Sequence, residues 1–425
     1  MKKILIIYPH FPPSNLAGVH RPRLFAQHLP SFGWEPIILT VHEKYYEETL
    51  DTNLKNLLPV SLRIEKVNAF GVTKPRVIGD IGLRAFFQLY IKAKHLILAE
   101  EIDFLLIPIP SFYCALLGRW LHHSTRIKYG VDYIDPWVHQ FPGSNKLLSR
   151  HWLSTKIAQF LEPIAVKNAS LITGVAEGYY KGVQERNPHL LNQAVFGAMP
   201  YGGEKQDHLM VHQLQLKPYL FLKKEGVVQL VYAGAMLPKA YSILEKIFES
   251  ISSNPNIFKN IEFHFIGTGK LSNDAASYNI KPLAQQYSLW QKCVFEYPKR
   301  IPYLDVLVHL NIADGIFILG STEPHYTPSK TYQAVLSGKP VFAVLHEKSS
   351  AVLIIKHAKV GLVLSFNGIS GLPTITENFI SVFKNYISFI DDYDEELIDL
   401  NLFDQYSANS ITKKMANFLN IAMKY

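Results

Sequence analysis

Gly315–Val344 reads GIFILGSTEPHYTPSKTYQAVLSGKPVFAV. An apolar run, Gly315–Gly320, leads into a polar loop. The loop opens a helix at Pro328-Ser329-Lys330, and Gly338-Lys339-Pro340 closes it before another apolar run. Proline presets φ for a first helical turn, and glycine suits the stop. The spacing predicts strand, loop, helix, strand. The unpaired N–H groups of the helix start then face a loop rich in Ser, Thr and Lys, a seat for an anion at the C-terminal end of a strand.

The same alternation extends outward in both directions. Strand-like runs are expected at 3–8, 36–40, 62–67, 104–109, 127–131, 171–175 and 194–196, then at 227–233, 261–266, 294–297, 315–319, 341–345 and 361–365. Helical patterns fall between them, in the first half at 18–32, 83–100, 112–122, 146–167 and 177–186. Near-continuous apolar strands alternating with helices predict parallel sheets covered on both faces. Two such series predict an α/β chain of two Rossmann-like domains facing across a cleft. We place the first at residues 1–205, a linker lacking a core pattern at 206–225, and the second at 226–402. A C-terminal helix at 403–425 is expected to pack back on the first.

The chain has 425 residues, 48% hydrophobic and 18% charged, which points to a packed globular protein rather than a disordered one. Its two cysteines, Cys114 and Cys293, suggest neither a disulfide framework nor a zinc site, and a reducing cytoplasm is the expectation. The opening MKKILIIYPHFPPS is too short in its apolar run for a signal peptide and reads as a core strand. Residues 1–205 hold 23 Lys and Arg against 16 Asp and Glu, whereas the remainder holds 20 against 19. A basic first half implies an anionic partner, either membrane headgroups or a phosphorylated substrate. Nucleic acid is not expected, because no basic run or binding motif accompanies the charge.

Candidate functional residues cluster at expected strand ends. After the first strand, Gly18 opens a helix bearing Arg21 and Arg23, where a close backbone approach and two guanidiniums suit an anion. In YGVDYIDPW (129–137), Asp132 and Asp135 precede Trp137 and His139, an acid-and-aromatic set able to bind a sugar hydroxyl or act as a base. Asp135 could equally cap the next helix. In the second half, Gly234 ends a strand and Lys239 follows in the loop, within reach of a phosphate. Gly267 marks another strand end, read equally as an ordinary turn. Arg300-Ile301-Pro302 joins a strand to a helix and could meet a flat base edge.

On these motifs the chain resembles the GT-B glycosyltransferases and is most similar to glycosyltransferase family 4, over nearly its whole length. Gly18, Gly234 with Lys239, Gly267 and the Arg300–Pro302 loop match family positions, with Ala235 where the family usually has Arg. The Pro-Ser-Lys helix ending in Gly-Lys-Pro matches best and looks like a bacterial subgroup. The family's two glutamates, eight residues apart, align with His325 and Gln333, and Glu323 could substitute for the first. Asp135 lies in what resembles an RDPW variant.

The resemblance implies a retaining, metal-independent glycosyltransferase with no cofactor, acting on a nucleotide-diphosphate sugar. The diphosphate would meet Gly18, Arg21, Lys239, Ser329 and Lys330; Gln333 would hold the ribose and Arg300, Ile301 and Pro302 the base. Asp135, supported by Asp132, with His325 and Glu323, would serve catalysis. The acceptor would be a glycan or lipid-linked sugar in bacterial surface polysaccharide synthesis. Independently of the resemblance, the helical patterns at 83–100 and 146–167 mix Phe87, Ile91, Leu153 and Ile157 with Lys92, Lys94, Arg150 and Lys156, and basic amphipathic helices of this kind either bury one face or give peripheral contact with the inner face of the plasma membrane. A nucleotide-sugar epimerase of the same fold, or a degenerate non-enzymatic subunit, are the alternatives.

Overall fold

Thirteen apolar runs become thirteen strands. The computed structural model describes residues 1–72, 78–138, 146–324 and 326–424. It divides into two units, Met1–Tyr201 with Ala408–Tyr425, and Gly202–Ser407.

In the first unit β1 (Lys2–Ile7), β2 (Trp34–Val41), β3 (Arg63–Val67), β4 (Phe104–Ile109), β5 (Lys128–Tyr133), β6 (Leu171–Gly174) and β7 (Val195–Ala198) form one parallel sheet. Their order is β3-β2-β1-β4-β5-β6-β7. In the second, β8 (Val228–Ala233), β9 (Ile261–Ile266), β10 (Val294–Tyr297), β11 (Gly315–Leu319), β12 (Val341–His346) and β13 (Gly361–Phe366) form another, ordered β10-β9-β8-β11-β12-β13. Every residue of β4, FLLIPI, is buried, as a strand covered on both faces requires. Each sheet reverses its winding once, between β1 and β4 and between β8 and β11. At such a reversal the connecting loops diverge and leave a crevice at the strands' C-terminal ends.

Several helices depart from the expected bounds. The run at 18–32 is a 3-10 turn, Ala17–Val19, a helix, His20–His28, and a second 3-10 turn, Leu29–Phe32, before Gly33 at φ +82°. Pro30 lacks the N–H that would continue the α-helix. The run at 83–100 breaks at Ala85 into Ile81–Arg84 and Phe86–Glu100. The segment expected to be a linker, 206–225, holds most of a helix, Lys205–Gln213, whose inward face is Asp207, His208 and Val211. That face is largely polar, so it carries no hydrophobic period.

The last helix, Ala408–Ala422, lies against His20–His28. Its Ile411, Met415 and Leu419 join Ile4, Ile6, Phe25 and Trp34 in one buried cluster of the first unit. Among the described residues no helix is long and apolar enough to cross a membrane.

Candidate functional site

The helix expected at 328–340 runs over Lys330–Leu336 only. Its first amides are not open. Thr331 N–H donates to the Pro328 carbonyl at 3.0 Å and Tyr332 N–H to Ser329 at 3.4 Å, while the Ser329 side chain caps nothing. The helix terminus therefore offers fewer open amides than its sequence suggests. Seven residues make a weak dipole, and two of its donors are already used.

What stands there instead is the Lys330 ammonium. Its nitrogen is shut off from solvent and has no hydrogen-bond partner among the described residues. It lies 3.4 Å from the centroid of the Tyr232 ring, on β8. The ring is held by its hydroxyl, which donates to the Ala235 carbonyl at 3.0 Å. Burial drives the Lys330 pKa down to about 7. Beside it is Gly234, at φ +118°, where an added Cβ would stand 3.4 Å from the ammonium. Thr331 adds a buried hydroxyl that also lacks a partner. These groups sit at the ends of β8 and β11, the reversal point of the sheet. A buried, unpaired cation costs free energy until an anion reaches it.

The neighbouring candidates are engaged. Lys239 Nζ lies 2.6 Å from Glu323 Oε1 in a partly exposed pair, so cation and acid answer each other. Such a pair contributes little and opens readily. Neutral His208 donates from Nε2 to Gln333 Oε1 at 2.8 Å, and burial lowers its pKa. Gln333 thus has its carbonyl occupied and its amide N–H groups left to offer. His208 was missed because it lies 125 residues away in the supposed linker. Part of the backbone of Arg300, Ile301 and Pro302 is engaged. The Arg300 amide donates to Ser272 at 2.8 Å, the Pro302 carbonyl accepts from Val306 at 3.1 Å, and the Ile301 side chain is buried. Gly267, at φ +70°, lets its turn pass against the Arg300 backbone. His325 lies outside the described residues.

In the first unit, Arg21 and Asp132 are fully buried and bound to each other. Arg21 Nε and Nη2 donate to the two Asp132 oxygens at 2.6 and 2.9 Å, and Nη1 donates to the Met199 and Pro200 carbonyls. Thr173 donates to Asp132 Oδ1 at 2.7 Å. In this arrangement both groups expected to meet a ligand are engaged with each other. The pair ties the helix after β1 to β5 and to the strand end beyond β7. Gly18 is explained by its neighbour as well, because the Tyr8 hydroxyl fills the space a side chain would need. Trp137 is buried and stacked on Phe112 at 6.0 Å, so it is core, not a wall for a sugar.

Asp135 differs from Asp132. It is open to solvent, yet surrounded closely enough that desolvation raises its pKa to about 6. Nearby, in the loop after β1, His10 Nδ1 lies 2.7 Å from Glu48 Oε1, and Ser14 also donates to Glu48. Burial pushes the Glu48 pKa up, but those hydrogen bonds outweigh it and hold it low. This His–Glu pair was not anticipated, because its members are 38 positions apart. His139 lies outside the described residues. Among the described residues, no group of three or more His, Cys, Asp or Glu is placed to hold a metal ion.

No family model matches the sequence, and no curated protein matches it. Solved structures do. A glycosyltransferase from Rickettsia africae aligns over 100% of this chain and 99% of its own, at TM-score 0.61 and 15% identity. A sucrose-phosphate synthase from Thermosynechococcus elongatus aligns over all of both chains at TM-score 0.62 and 13% identity. HepE of Anabaena, solved with UDP, aligns over 99% of this chain and 100% of its own at TM-score 0.60 and 13% identity. At such identities the likeness establishes the fold. The chain has the two-unit α/β fold of the GT-B class, a parallel Rossmann-like sheet in each unit.

Proposed function

We propose that the chain is a glycosyltransferase that takes its sugar from a nucleotide diphosphate bound at the β8–β11 crevice. The observation that carries the reading is the Lys330 ammonium, buried against Tyr232 without a partner at the reversal point of the sheet. A diphosphate would supply the missing anion, restore the lysine's charge and gain a charge-assisted hydrogen bond. As the sugar leaves, negative charge builds on that diphosphate, and a fixed cation there stabilises the transition state more than the ground state. Gly234 permits close approach. Lys239, released from Glu323, reaches the outer phosphate, and Gln333 offers amide hydrogens to ribose oxygens. Having Lys330 and Lys239 at the phosphates supports a metal-independent reaction. In the first unit Asp135, ionised at neutral pH but with a raised pKa, fits a group that orients or deprotonates an acceptor hydroxyl. Retention of stereochemistry, a hexose donor, the family 4 assignment and a cytoplasmic role in bacterial surface polysaccharide synthesis complete the proposal; they rest on the sequence resemblance.

The test is a thermal-shift panel of UDP, GDP, ADP and their sugars. One nucleotide should raise the melting temperature, and Lys330→Met should sharply reduce that rise. A shift unchanged by the substitution, or no shift with any nucleotide, would overturn the reading.

A further inference from the structure

Three helices of the first unit, Phe86–Glu100, Ala115–Thr125 and Arg150–Val166, line up along one face of the sheet. Each sends one side into the same core, through Leu89 and Leu96, Leu117 and Leu121, and Ala158 and Ala165. Their outer sides should then be polar, as on any surface helix. They are not. On Arg150–Val166 the outward residues Leu153, Ile157, Phe160 and Ile164 are exposed, Phe160 to 71%. Their spacing of four, three and four residues makes one continuous stripe along the helix. On Phe86–Glu100, Phe87, Ile91 and Leu98 do the same, with Ile91 67% exposed. Between them Trp120 stands edge-on to Phe86 and Tyr90, at 5.0 and 6.0 Å, and is itself exposed. Leu147 and Leu148, just before the third helix, are exposed as well. Scattered exposed apolar residues need no explanation, but a stripe shared by adjoining helices does.

The charges around the stripe are of one sign. Going round Arg150–Val166, Arg150 falls on one side of it and Lys156 and Lys167 on the other, all exposed, with Lys146 just upstream. The helix has a single acid, Glu162, which is buried and held by Arg186 at 2.7 Å. No negative side chain therefore faces outward from this helix. A second copy of the chain would bring the same positive flanks against these and be repelled.

We propose that this face docks on the surface of an anionic lipid bilayer. Leu153, Ile157, Phe160 and Ile164 enter the boundary between headgroups and acyl chains, Trp120 sits at headgroup level, and the flanking lysines and Arg150 meet lipid phosphates. The two contributions are separate: apolar burial supplies a salt-insensitive part, and the basic flanks supply a part screened over about 10 Å at 0.1 M salt. The inference is independent of what the β8–β11 crevice binds.

Co-sedimentation of the full chain with vesicles tests it. Phosphatidylcholine vesicles containing phosphatidylglycerol should carry the protein down at low salt, and pure phosphatidylcholine should carry far less. The double substitution Leu153→Glu with Phe160→Glu should lower the partition by more than about tenfold, because it removes buried apolar area and adds repulsion. Lys156→Gln should lower it about fivefold on the anionic vesicles alone. Circular dichroism and the melting temperature of each variant verify that it is folded. Protein that stays in the supernatant with anionic vesicles overturns the proposal, as does equal partition of the wild type and the folded double variant. Sedimentation velocity showing a dimer that the double substitution dissociates also overturns it, and assigns the face to a second copy. Equal binding to both vesicle types overturns the charge argument and the proposal with it.

Discussion

Arg21, after β1, and Lys330, after β11, both lie at the reversal of a sheet and have opposite fates. Each follows a strand at the reversal point of its sheet, and each buries its charge. Arg21 divides its donors among Asp132, Met199 and Pro200. Among the described residues, Lys330 has the face of Tyr232 and no hydrogen-bond partner. A cation with four of its five donors paired is a tie within the fold. A cation left bare in the same setting destabilises the free protein and awaits a ligand. The sequence signal for both is the same, a basic residue after an apolar strand, and only the partners tell them apart.

The sharpest way to break this comparison is to remove each cation. Arg21→Ala should cost about 3–5 kcal/mol of stability, because it strands the buried Asp132 carboxylate. Urea denaturation measures it, and a loss near zero would mean the pair is not a tie. Lys330→Met should leave the free protein as stable or more so, while weakening nucleotide binding by about 10- to 100-fold, the worth of a charged hydrogen bond. Calorimetric titration with the nucleotide found in the thermal-shift panel reads that loss.

The pH dependence sharpens the contrast further. Burial holds the folded Lys330 pKa at about 7, against 10.5 for the unburied side chain. Between those values the unfolded chain binds more protons than the folded one, so this group makes stability rise with pH from about 7 toward 10.5. Denaturation curves of wild type and Lys330→Met across that window isolate the contribution, since the variant lacks it. Saturating nucleotide should flatten the rise, because a bound diphosphate lifts the lysine pKa back up. A wild-type slope equal to that of the variant would remove Lys330 from the account.

The smallest effect concerns Gln333. His208→Ala should cost about 1 kcal/mol of stability, the usual worth of one buried hydrogen bond. It should also free the Gln333 amide to turn, lowering nucleotide affinity a few-fold. Gln333→Glu should instead raise the His208 pKa, as an added negative charge favours the protonated ring. NMR titration of the His208 ring tests this directly, and an unmoved pKa would separate the two side chains.

The sheets were legible in the chain because a strand covered on both faces must be apolar throughout, as in FLLIPI of β4. Strand ends followed, and with them Gly234 and Lys330. What was not legible depended on distance or on polarity. Arg21 and Asp132 are 111 residues apart, and each alone looked like a ligand-binding group. Helix Lys205–Gln213 turns Asp207 and His208 inward, so the hydrophobic period that reveals a helix is missing. The stripe Leu153–Ile164 was legible as an amphipathic pattern, but its exposure was not. Helical spacing shows that apolar residues share a side, but not which side faces the core, and here Ala158 and Ala165 do so on the opposite side.

The position of Ala408–Ala422 has a consequence for how the polypeptide becomes a protein. The first unit is not a contiguous stretch of chain. Its core includes Ile411, Met415 and Leu419, which are made after the second unit, whereas Gly202–Ser407 is one contiguous stretch. During synthesis the later unit can therefore reach its native state first, and the earlier one must wait with an open groove over Phe25 and Ile6. Premature termination near residue 407 would leave a finished second unit joined to an unfinished first, with that apolar groove available to chaperones or to aggregation.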